Sequence, residues 1–295
     1  MKLYAPAYYQ KFKCIADQCR HSCCIGWEID IDEETFARYQ DLNSDYGAVI
    51  QASICTDAEP HFRLGEGERC PHLNEKGLCK IILNLGEEHL CHICREHPRF
   101  YNFTSVAEVG VGMCCEEAAR LILSSPRYDV MEEIGEISAT EDEINFDGRA
   151  ERDALYQILR DEALNYPTRL AKIRKKYGIT PSDDEACLQK IDTLEYLNPA
   201  HKDLFLCYSA SRRPNGSDAY LERALAYFIY RHCTEAFDVE DFCARLKFCL
   251  FCEQLLASLI CAEQADSPAS IADLARILSE EIEYSDENTG VLTET

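Results

Sequence analysis

The distribution of cysteine constrains this chain more than any other feature of its sequence. The chain has 18 cysteines, and most of them lie in its first third. The cysteines of that region are Cys14, Cys19, Cys23, Cys24, Cys55, Cys70, Cys79, Cys91, Cys94, Cys114 and Cys115. Secreted disulfide scaffolds reach this density, but they are shorter and follow a signal peptide, and residues 1–10 have no apolar segment of that kind. We therefore expect a cytoplasmic protein whose reduced thiols hold a metal ion or an iron–sulfur cluster.

The charge balance excludes several classes of partner. The chain has 30 basic and 53 acidic side chains, a formal net charge of −23. A nucleic-acid binder needs clustered lysine and arginine, and an anionic membrane surface would repel such a protein. The most apolar stretch, 248–262, is interrupted by Glu253 and Gln254 and is too short to span a bilayer. We expect neither a nucleic-acid partner nor a membrane partner.

Short, turn-rich segments make up the first part of the chain. Alternating apolar residues predict strands, and acidic residues at the start of a segment predict a helix. The predicted elements are strands at 27–32 and 61–64, a hairpin over 99–113, and helices at 33–39 and 116–124. Small loop-rich units often need a metal for stability. Residues 1–125 are therefore predicted to form a cysteine-rich α+β domain that binds a metal or an iron–sulfur cluster.

The rest of the chain has helical periodicity. Residues 125–148 are acidic and weakly periodic, which is typical of a linker. Apolar residues spaced three and four apart then predict helices around 221–233 and from 239 onward. The cysteines in these helices are interpreted as core residues, because a free cysteine behaves as a small hydrophobe. Residues 126–295 are predicted to form an all-α domain, so that the protein is mainly α.

The spacing of the early cysteines is typical of a metal centre. The first cluster is Cys14-x4-Cys19-x3-Cys23-Cys24, followed by Cys70, Cys79, Cys91-x2-Cys94 and Cys114-Cys115. Turns with three or four residues between thiols can present several sulfurs to one ion. Adjacent side chains diverge, so Cys23 and Cys24 can serve different centres. Zinc and iron–sulfur clusters both accept four thiolates, and the spacing leaves both open.

An ordered series of motifs carries a resemblance to a known family. The series comprises Cys14-x4-Cys19-x3-Cys23-Cys24-x2-Trp27, Cys70-Pro71-x-Leu73, Gly77-Leu78-Cys79, Leu85-Gly86-Glu87-Glu88, Cys94-Arg95-x2-Pro98-Arg99, Cys115-x-Glu117-Ala118-Ala119-Arg120-Leu121 and Glu281-Ile282-Glu283-x-Ser285-x2-Asn288. It resembles the cysteine-cluster family that includes flagellin lysine N-methylase. The resemblance implies methyl transfer from S-adenosylmethionine to lysine side chains of flagellin. It further implies a cysteine-bound centre, with a [4Fe–4S] cluster as the first choice and zinc as the alternative.

The family's cysteine positions transfer directly onto this sequence. The metal ligands implied by the resemblance are Cys14, Cys19, Cys23, Cys24, Cys70, Cys79, Cys94 and Cys115. Cys91 and Cys114 are additional thiols next to motif positions, and they leave the ligand assignment open there. Glu116 stands where the motif has proline.

Methylation of a lysine requires its unprotonated amine, and the ordinary pKa of that amine is about 10.4. Glu117, Glu281, Glu283 and several tyrosines are candidates for handling its proton, but spacing selects none of them, so the catalytic residues and the methyl-donor site stay unassigned. No G-x-G-x-x-G loop follows a predicted strand, and the short Gly65-x-Gly67 and Gly110-x-Gly112 motifs do not predict a Rossmann fold. The alternative is a non-catalytic metal or iron–sulfur binding module, or a redox sensor.

Overall fold

A computed structural model describes residues 1–138 and 146–294. The protein is mainly α, with a small mixed β-sheet, which confirms the predicted fold class. The strands are β1 (Lys2–Pro6), β2 (Ile54–Cys55), β3 (His61–Phe62), β4 (Arg99–Phe103), β5 (Ala107–Val111) and β6 (Met131–Glu136). The helices are α1 (Glu33–Gln40), α2 (Asp45–Ser53), α3 (Lys80–Leu85), α4 (His92–Glu96), α5 (Glu116–Ser124), α6 (Gly148–Leu159), α7 (Tyr166–Tyr177), α8 (Pro181–Lys190), α9 (Pro199–Phe205), α10 (Asp218–Cys233), α11 (Val239–Ala262), α12 (Pro268–Leu278) and α13 (Asp286–Thr293).

The chain divides into two compact units. The smaller unit is Lys13–Pro98, and the larger one joins Met1–Phe12 to the chain from Arg99 onward. This division differs from the predicted boundary at residue 125. The reason is the sheet of the larger unit, which recruits the first strand of the chain and the hairpin after the smaller unit. In the larger unit, Arg99 Nε donates to Tyr9 Oη at 3.0 Å, and its guanidinium lies 5.8 Å from the ring centre of Phe12.

The sheet of the larger unit has the strand order β4-β5-β1-β6. β4 and β5 form the predicted hairpin, β1 runs parallel to β5, and β6 runs antiparallel to β1. The predicted linker 125–148 therefore contains a strand, which is a correction. The acidic composition of this segment did not predict a strand. β6 can contain acidic residues because it lies at an edge of the sheet and its side chains stay at least partly exposed. Residues 139–145 of the predicted linker lie outside the described part of the chain.

The smaller unit has its own hydrophobic core. The Asp32 carboxylate accepts a hydrogen bond from the Thr35 N–H at 3.0 Å and begins α1 where the sequence predicts a helix. The predicted strand at 27–32 is a further correction. Ile29 and Ile31 are buried in alternation, yet this segment pairs only through an isolated bridge between Asp30 and His61. The core residues are Ile29, Ile31, Tyr39, Ile50, Phe62, Cys70, Leu73, Ile81 and Cys91.

The helices α10 and α11 pack together in the core of the larger unit, as their periodicity predicts. Cys233, Cys249 and Cys252 are fully buried there, whereas Cys243 and Cys261 are partly exposed. Glu253 interrupts the apolar run of α11, and its carboxylate accepts hydrogen bonds from Tyr166 and Arg213. Within the described residues, the structure contains no helix with both the length and the apolar character needed to cross a bilayer.

Candidate metal centre

Two distant segments of the smaller unit bring Cys24 beside Cys70. Ile25 and Arg69 form an isolated antiparallel bridge, and the backbone N–H of Cys70 donates to the Cys24 carbonyl at 2.9 Å. Gly26 extends this pairing by donating its N–H to the Glu68 carbonyl at 3.1 Å. The vicinal pair and the Cys-Pro motif are therefore neighbours in space, although more than forty residues separate them in the sequence.

A tight turn returns the chain from Cys70 to Cys79. The Asn74 side chain accepts hydrogen bonds from the N–H groups of Lys76 and Leu78, each at 2.9 Å. Gly77 has a φ of +74°, which glycine adopts without the strain that a side chain would introduce. Leu73 and Cys79 then pair across the turn. Cys70 and Cys79 thereby belong to one compact loop, and Cys79 immediately precedes α3.

The third part of the cluster comes from the segment around α4. Cys91 immediately precedes this helix and Cys94 lies in its first turn, so that their Sγ atoms are 3.4 Å apart. Cys91 is 1% exposed and belongs to the core of the unit. The cysteine positions of the family do not include Cys91 as a ligand. The feature of the sequence that points to Cys91 is the two-residue gap before Cys94, which places both thiols on one side of a helical turn.

The charges on these thiols act on one another. Burial is the largest of the causes that raise the pKa of Cys70 to about 11. The nearby thiols of Cys24, Cys79 and Cys91 contribute to this rise. Burial likewise raises the pKa of Cys79, while the backbone N–H groups that follow it oppose the shift. The hydrogen bond between Cys91 and Cys94 lowers the pKa of Cys91 and raises that of Cys94. A hydrogen bond with Cys23 lowers the pKa of Cys24 to about 7, against the effect of burial.

Five thiols of the smaller unit thus act on one another's pKa, and we call them the thiol cluster: Cys24, Cys70, Cys79, Cys91 and Cys94. Cys91 and Cys94 are in direct sulfur–sulfur contact. Several of the five cannot be thiolates together without a compensating positive charge, because each raises the energy of the next. Bound zinc or iron supplies such a charge and keeps its thiol ligands deprotonated. Thiolates are ligands of both zinc ions and iron–sulfur clusters, so the type of donor leaves both open.

The remaining predicted ligands have different surroundings. Cys23 forms a hydrogen bond with Cys24, and Cys19 donates its S–H to the His21 carbonyl at 3.2 Å. Cys14 is exposed. Cys115 belongs to the larger unit, where it immediately precedes α5. The thiol cluster accordingly contains Cys91 and four of the eight predicted ligands, namely Cys24, Cys70, Cys79 and Cys94.

Two further residues near the motifs have core positions. Cys114 is buried in the larger unit, where burial raises the pKa of its thiol and Tyr284 and Arg231 lie close to it. His72 is fully buried, and its Nδ1 and Nε2 atoms each lie 2.9 Å from a hydroxyl, that of Tyr46 and that of Ser53. Both ring nitrogens are thus occupied, so that His72 is a hydrogen-bonding residue and not a ligand.

The three candidate carboxylates are all paired. The Glu117 carboxylate accepts hydrogen bonds from Arg120 Nη2 at 2.6 Å and from Arg120 Nε at 2.7 Å. Glu281 accepts the N–H groups of Leu197 and Asn198, at 2.8 and 3.0 Å, and thereby fixes the start of α9.

Glu283, the third candidate, is fully buried. Burial opposes ionisation of this carboxyl, but hydrogen bonding from His232 and the charge of Arg231 hold its pKa below the usual range. Glu281 and Glu283 therefore both form structural hydrogen bonds within the larger unit.

The short glycine motif at 110–112 also has a packing role. A Cβ atom on Gly110 would lie 2.8 Å from Tyr230 Cε1 and closer still to Phe100. A Cβ atom on Gly112 would lie 2.8 Å from an Arg231 guanidinium nitrogen. The absence of a side chain at these glycines makes room for side chains of β4 and α10 against the sheet.

The chain is mainly α, and its smaller unit contains a group of buried and partly buried thiols. Comparison with known proteins adds a relationship to this description. The chain is 28% identical to the lysine-N-methylase of Salmonella typhimurium over 129 residues, which is 41% of this chain and 32% of that protein. It is 29% identical to the lysine-N-methylase of Salmonella choleraesuis over 136 residues, with the same two shares.

A third relative has a flagellar name. The chain is 27% identical over 129 residues to the flagellar biosynthetic protein FliU of Salmonella muenchen, a match that covers 76% of that protein. No protein-family model and no solved structure matches the chain. The aligned part spans about a third of the length of the two lysine-N-methylases. The comparisons confirm the resemblance to the flagellin lysine N-methylase family at the level of the family.

Proposed function

We propose that this chain is a protein-lysine N-methyltransferase that acts on flagellin in the cytoplasm and uses S-adenosylmethionine as its methyl donor. The observation that carries the proposal is the similarity to two proteins named lysine-N-methylase and to FliU. In this reaction the S–CH3 bond of the donor breaks and an N–CH3 bond forms on the lysine. The products are S-adenosylhomocysteine, methyl-lysine and the proton released from the lysine ammonium group.

We propose further that the thiol cluster holds the resident centre, with a [4Fe–4S] cluster as the first choice and zinc as the alternative. Such a centre, when bound, supplies a fixed positive charge and either redox or Lewis-acid chemistry. The chain's own contribution is a set of sulfurs from several separate segments, two of which lead directly into α3 and α4. Burial of Cys70 and Cys91 excludes water from one side of this set.

The charge of the protein supports a basic substrate segment. With a formal net charge of −23, the chain attracts lysine-rich surfaces at low ionic strength. The attraction should weaken with salt, because the Debye length falls to about 8 Å at physiological ionic strength.

The test uses full-length protein purified without oxygen, with iron, sulfide and zinc analysed first. Flagellin and S-adenosylmethionine are then added, and flagellin is weighed by mass spectrometry. We expect mass increments of one methyl group on lysine-containing peptides. The matched control omits the methyl donor. If several flagellins gain no mass in the presence of a fully loaded centre, the methyltransferase proposal is wrong.

A second candidate is a non-catalytic metal or iron–sulfur binding module, or a redox sensor. It is favoured by the limited extent of the match, which covers 32% of each lysine-N-methylase. The same experiment separates the two, because a binding module retains iron or zinc and leaves flagellin unmodified.

A further inference from the structure

A second group of metal-ligating side chains lies in the smaller unit, on the hairpin formed by β2 and β3. Cys55 and His61 are directly opposed partners in this antiparallel pair, so that their side chains lie on the same face of the hairpin. Asp57 comes from the loop that connects the two strands. One ligand atom from each of these three residues lies within 4.8 Å of the other two.

The backbone of β3 is hydrogen-bonded on both sides, to the segment of Ile29 on one side and to β2 and the residue before it on the other. The Phe62 N–H donates to the Ile29 carbonyl at 3.0 Å, and the Arg63 N–H donates to the Ser53 carbonyl at 2.8 Å. Phe62 is also 1% exposed and packs in the core of the unit. The positions of Cys55 and His61 are therefore set by the core rather than by a mobile loop.

Two side-chain contacts orient the donor atoms. His61 Nδ1 lies 2.8 Å from the Glu59 carbonyl oxygen, so that Nδ1 carries the proton and Nε2 keeps its lone pair. Metal-binding histidines commonly donate their second ring nitrogen to a carbonyl in this way. Arg63 Nε donates to Cys55 Sγ at 3.3 Å and fixes the direction of the thiol.

We propose that Cys55, Asp57 and His61 form a second metal site, which binds one divalent ion of the zinc class. The donor set of one sulfur, one nitrogen and one carboxylate oxygen suits zinc or cobalt, whereas magnesium and calcium prefer oxygen ligands alone. Three protein ligands leave one tetrahedral position open for water or for a donor atom of a small ligand. None of the three residues belongs to the thiol cluster or to the cysteine motifs of the family.

The exposure of the three residues fits an accessible ion. Cys55 and His61 are half-buried, and Asp57 is exposed at the loop. A bound ion would therefore have protein on one side and solvent on the other. This arrangement resembles a site with an exchangeable ligand more than a closed structural site.

The proposal is tested by metal binding to the full chain with its thiol centre already loaded and quantified. Cobalt(II) alone is the probe, because a sulfur–cobalt bond gives intense absorption that reports the thiolate ligand. We expect one additional equivalent of cobalt in the wild-type protein. His61→Gln and Asp57→Asn should each lose that equivalent while keeping the iron or zinc of the thiol cluster.

Two variants keep the result interpretable. Glu59→Gln changes an acidic side chain of the same loop but retains the backbone carbonyl that orients His61, so that it should bind cobalt like the wild type. Asp57→Asn alters an exposed side chain, so that its loss of cobalt cannot be attributed to unfolding. Equal cobalt binding by the wild type, His61→Gln and Asp57→Asn would overturn the proposal, as would equal loss in Glu59→Gln.

Discussion

The Sγ atom of Cys91 lies 3.4 Å from the Sγ atom of Cys94, across the first turn of α4. This contact adds Cys91 to the thiol cluster, although the family's cysteine positions omit it. The hydrogen bond between the two sulfurs lowers the pKa of Cys91 and raises that of Cys94. A metal ion bound by both thiolates would take the place of this hydrogen bond.

Cys91→Ser should therefore lose bound iron or zinc to the same extent as Cys94→Ser. Removal of the metal should also lower the thermal stability of the smaller unit, because binding energy contributes directly to folding. The matched control is Cys249→Ser in α11, a fully buried thiol 3.7 Å from Cys233. That variant should keep its metal and lose about 1–3 kcal/mol through burial of a hydroxyl. Metal analysis with thermal unfolding checks both, and normal metal content in Cys91→Ser would contradict the assignment.

Gly110→Ala should destabilise the larger unit. The added methyl group would press on the rings of Phe100 and Tyr230, and overpacking of this kind costs about 1–3 kcal/mol. Gly290→Ala in α13 is the control, since nothing lies within 4 Å of its added Cβ atom. Alanine is favoured over glycine inside a helix by about 0.5–1 kcal/mol, so that this control should gain stability. Denaturant unfolding measures both changes, and the same sign in both would refute the packing role of Gly110.

Arg152→Ala should destabilise the larger unit strongly. Glu108 in β5 is fully buried, and its two carboxylate oxygens accept hydrogen bonds from Arg152 at 2.5 and 3.1 Å. Removal of one partner of such a buried pair costs about 3–5 kcal/mol. Lys176→Ala removes the partly exposed ion pair with Glu151 and should cost at most about 1 kcal/mol. If both variants lose the same free energy of unfolding, the buried ion pair of Glu108 and Arg152 contributes no more to stability than the exposed pair does.

The stability of the larger unit should fall between pH 7.5 and pH 5. Burial lowers the pKa of His232, and although the Glu283 carboxylate opposes this shift, the charges of Arg231 and Arg245 favour it. Below the usual histidine pKa of about 6.5, the unfolded chain binds a proton that the folded chain resists, so that acid favours unfolding.

His232→Gln should reduce this loss, which unfolding curves at the two pH values measure. The lowered pKa of Glu283 acts in the same direction, but only below its ordinary value of about 4.5. Burial raises the pKa of Asp184, Glu235 and Glu253, and these groups act in the opposite direction. The contribution of the histidine is therefore the difference between the wild type and His232→Gln. A stability profile that His232→Gln leaves unchanged across this range would argue against a neutral, buried ring.

The sequence predicts some elements well because their patterns are local. The helices α10 and α11 follow from apolar periodicity, and α1 follows from Asp32 and the acidic residues after it. The strand β6 escaped prediction, because its pairing with β1 connects residues more than a hundred positions apart and its exposed edge favours acidic side chains. A two-residue strand such as β2 is also too short to leave a periodic pattern.

The thiol cluster shows the same division between local and long-range information. The cysteine spacing predicts which segments contribute thiols. It does not reveal that Cys91 enters the core, because that depends on packing against residues such as Tyr39 and Phe62. The hairpin site of Cys55, Asp57 and His61 depends on strand register, which no motif in the sequence encodes.

Arg99 contacts both Tyr9 and Phe12, so the residues that precede and follow the smaller unit meet at one side chain of the larger unit. The strands β1 and β4 of the larger unit can therefore stay in place through contacts that do not involve the residues between them. For the same reason, a protease acting on metal-depleted protein should cut within 13–98 first and leave a helical fragment intact.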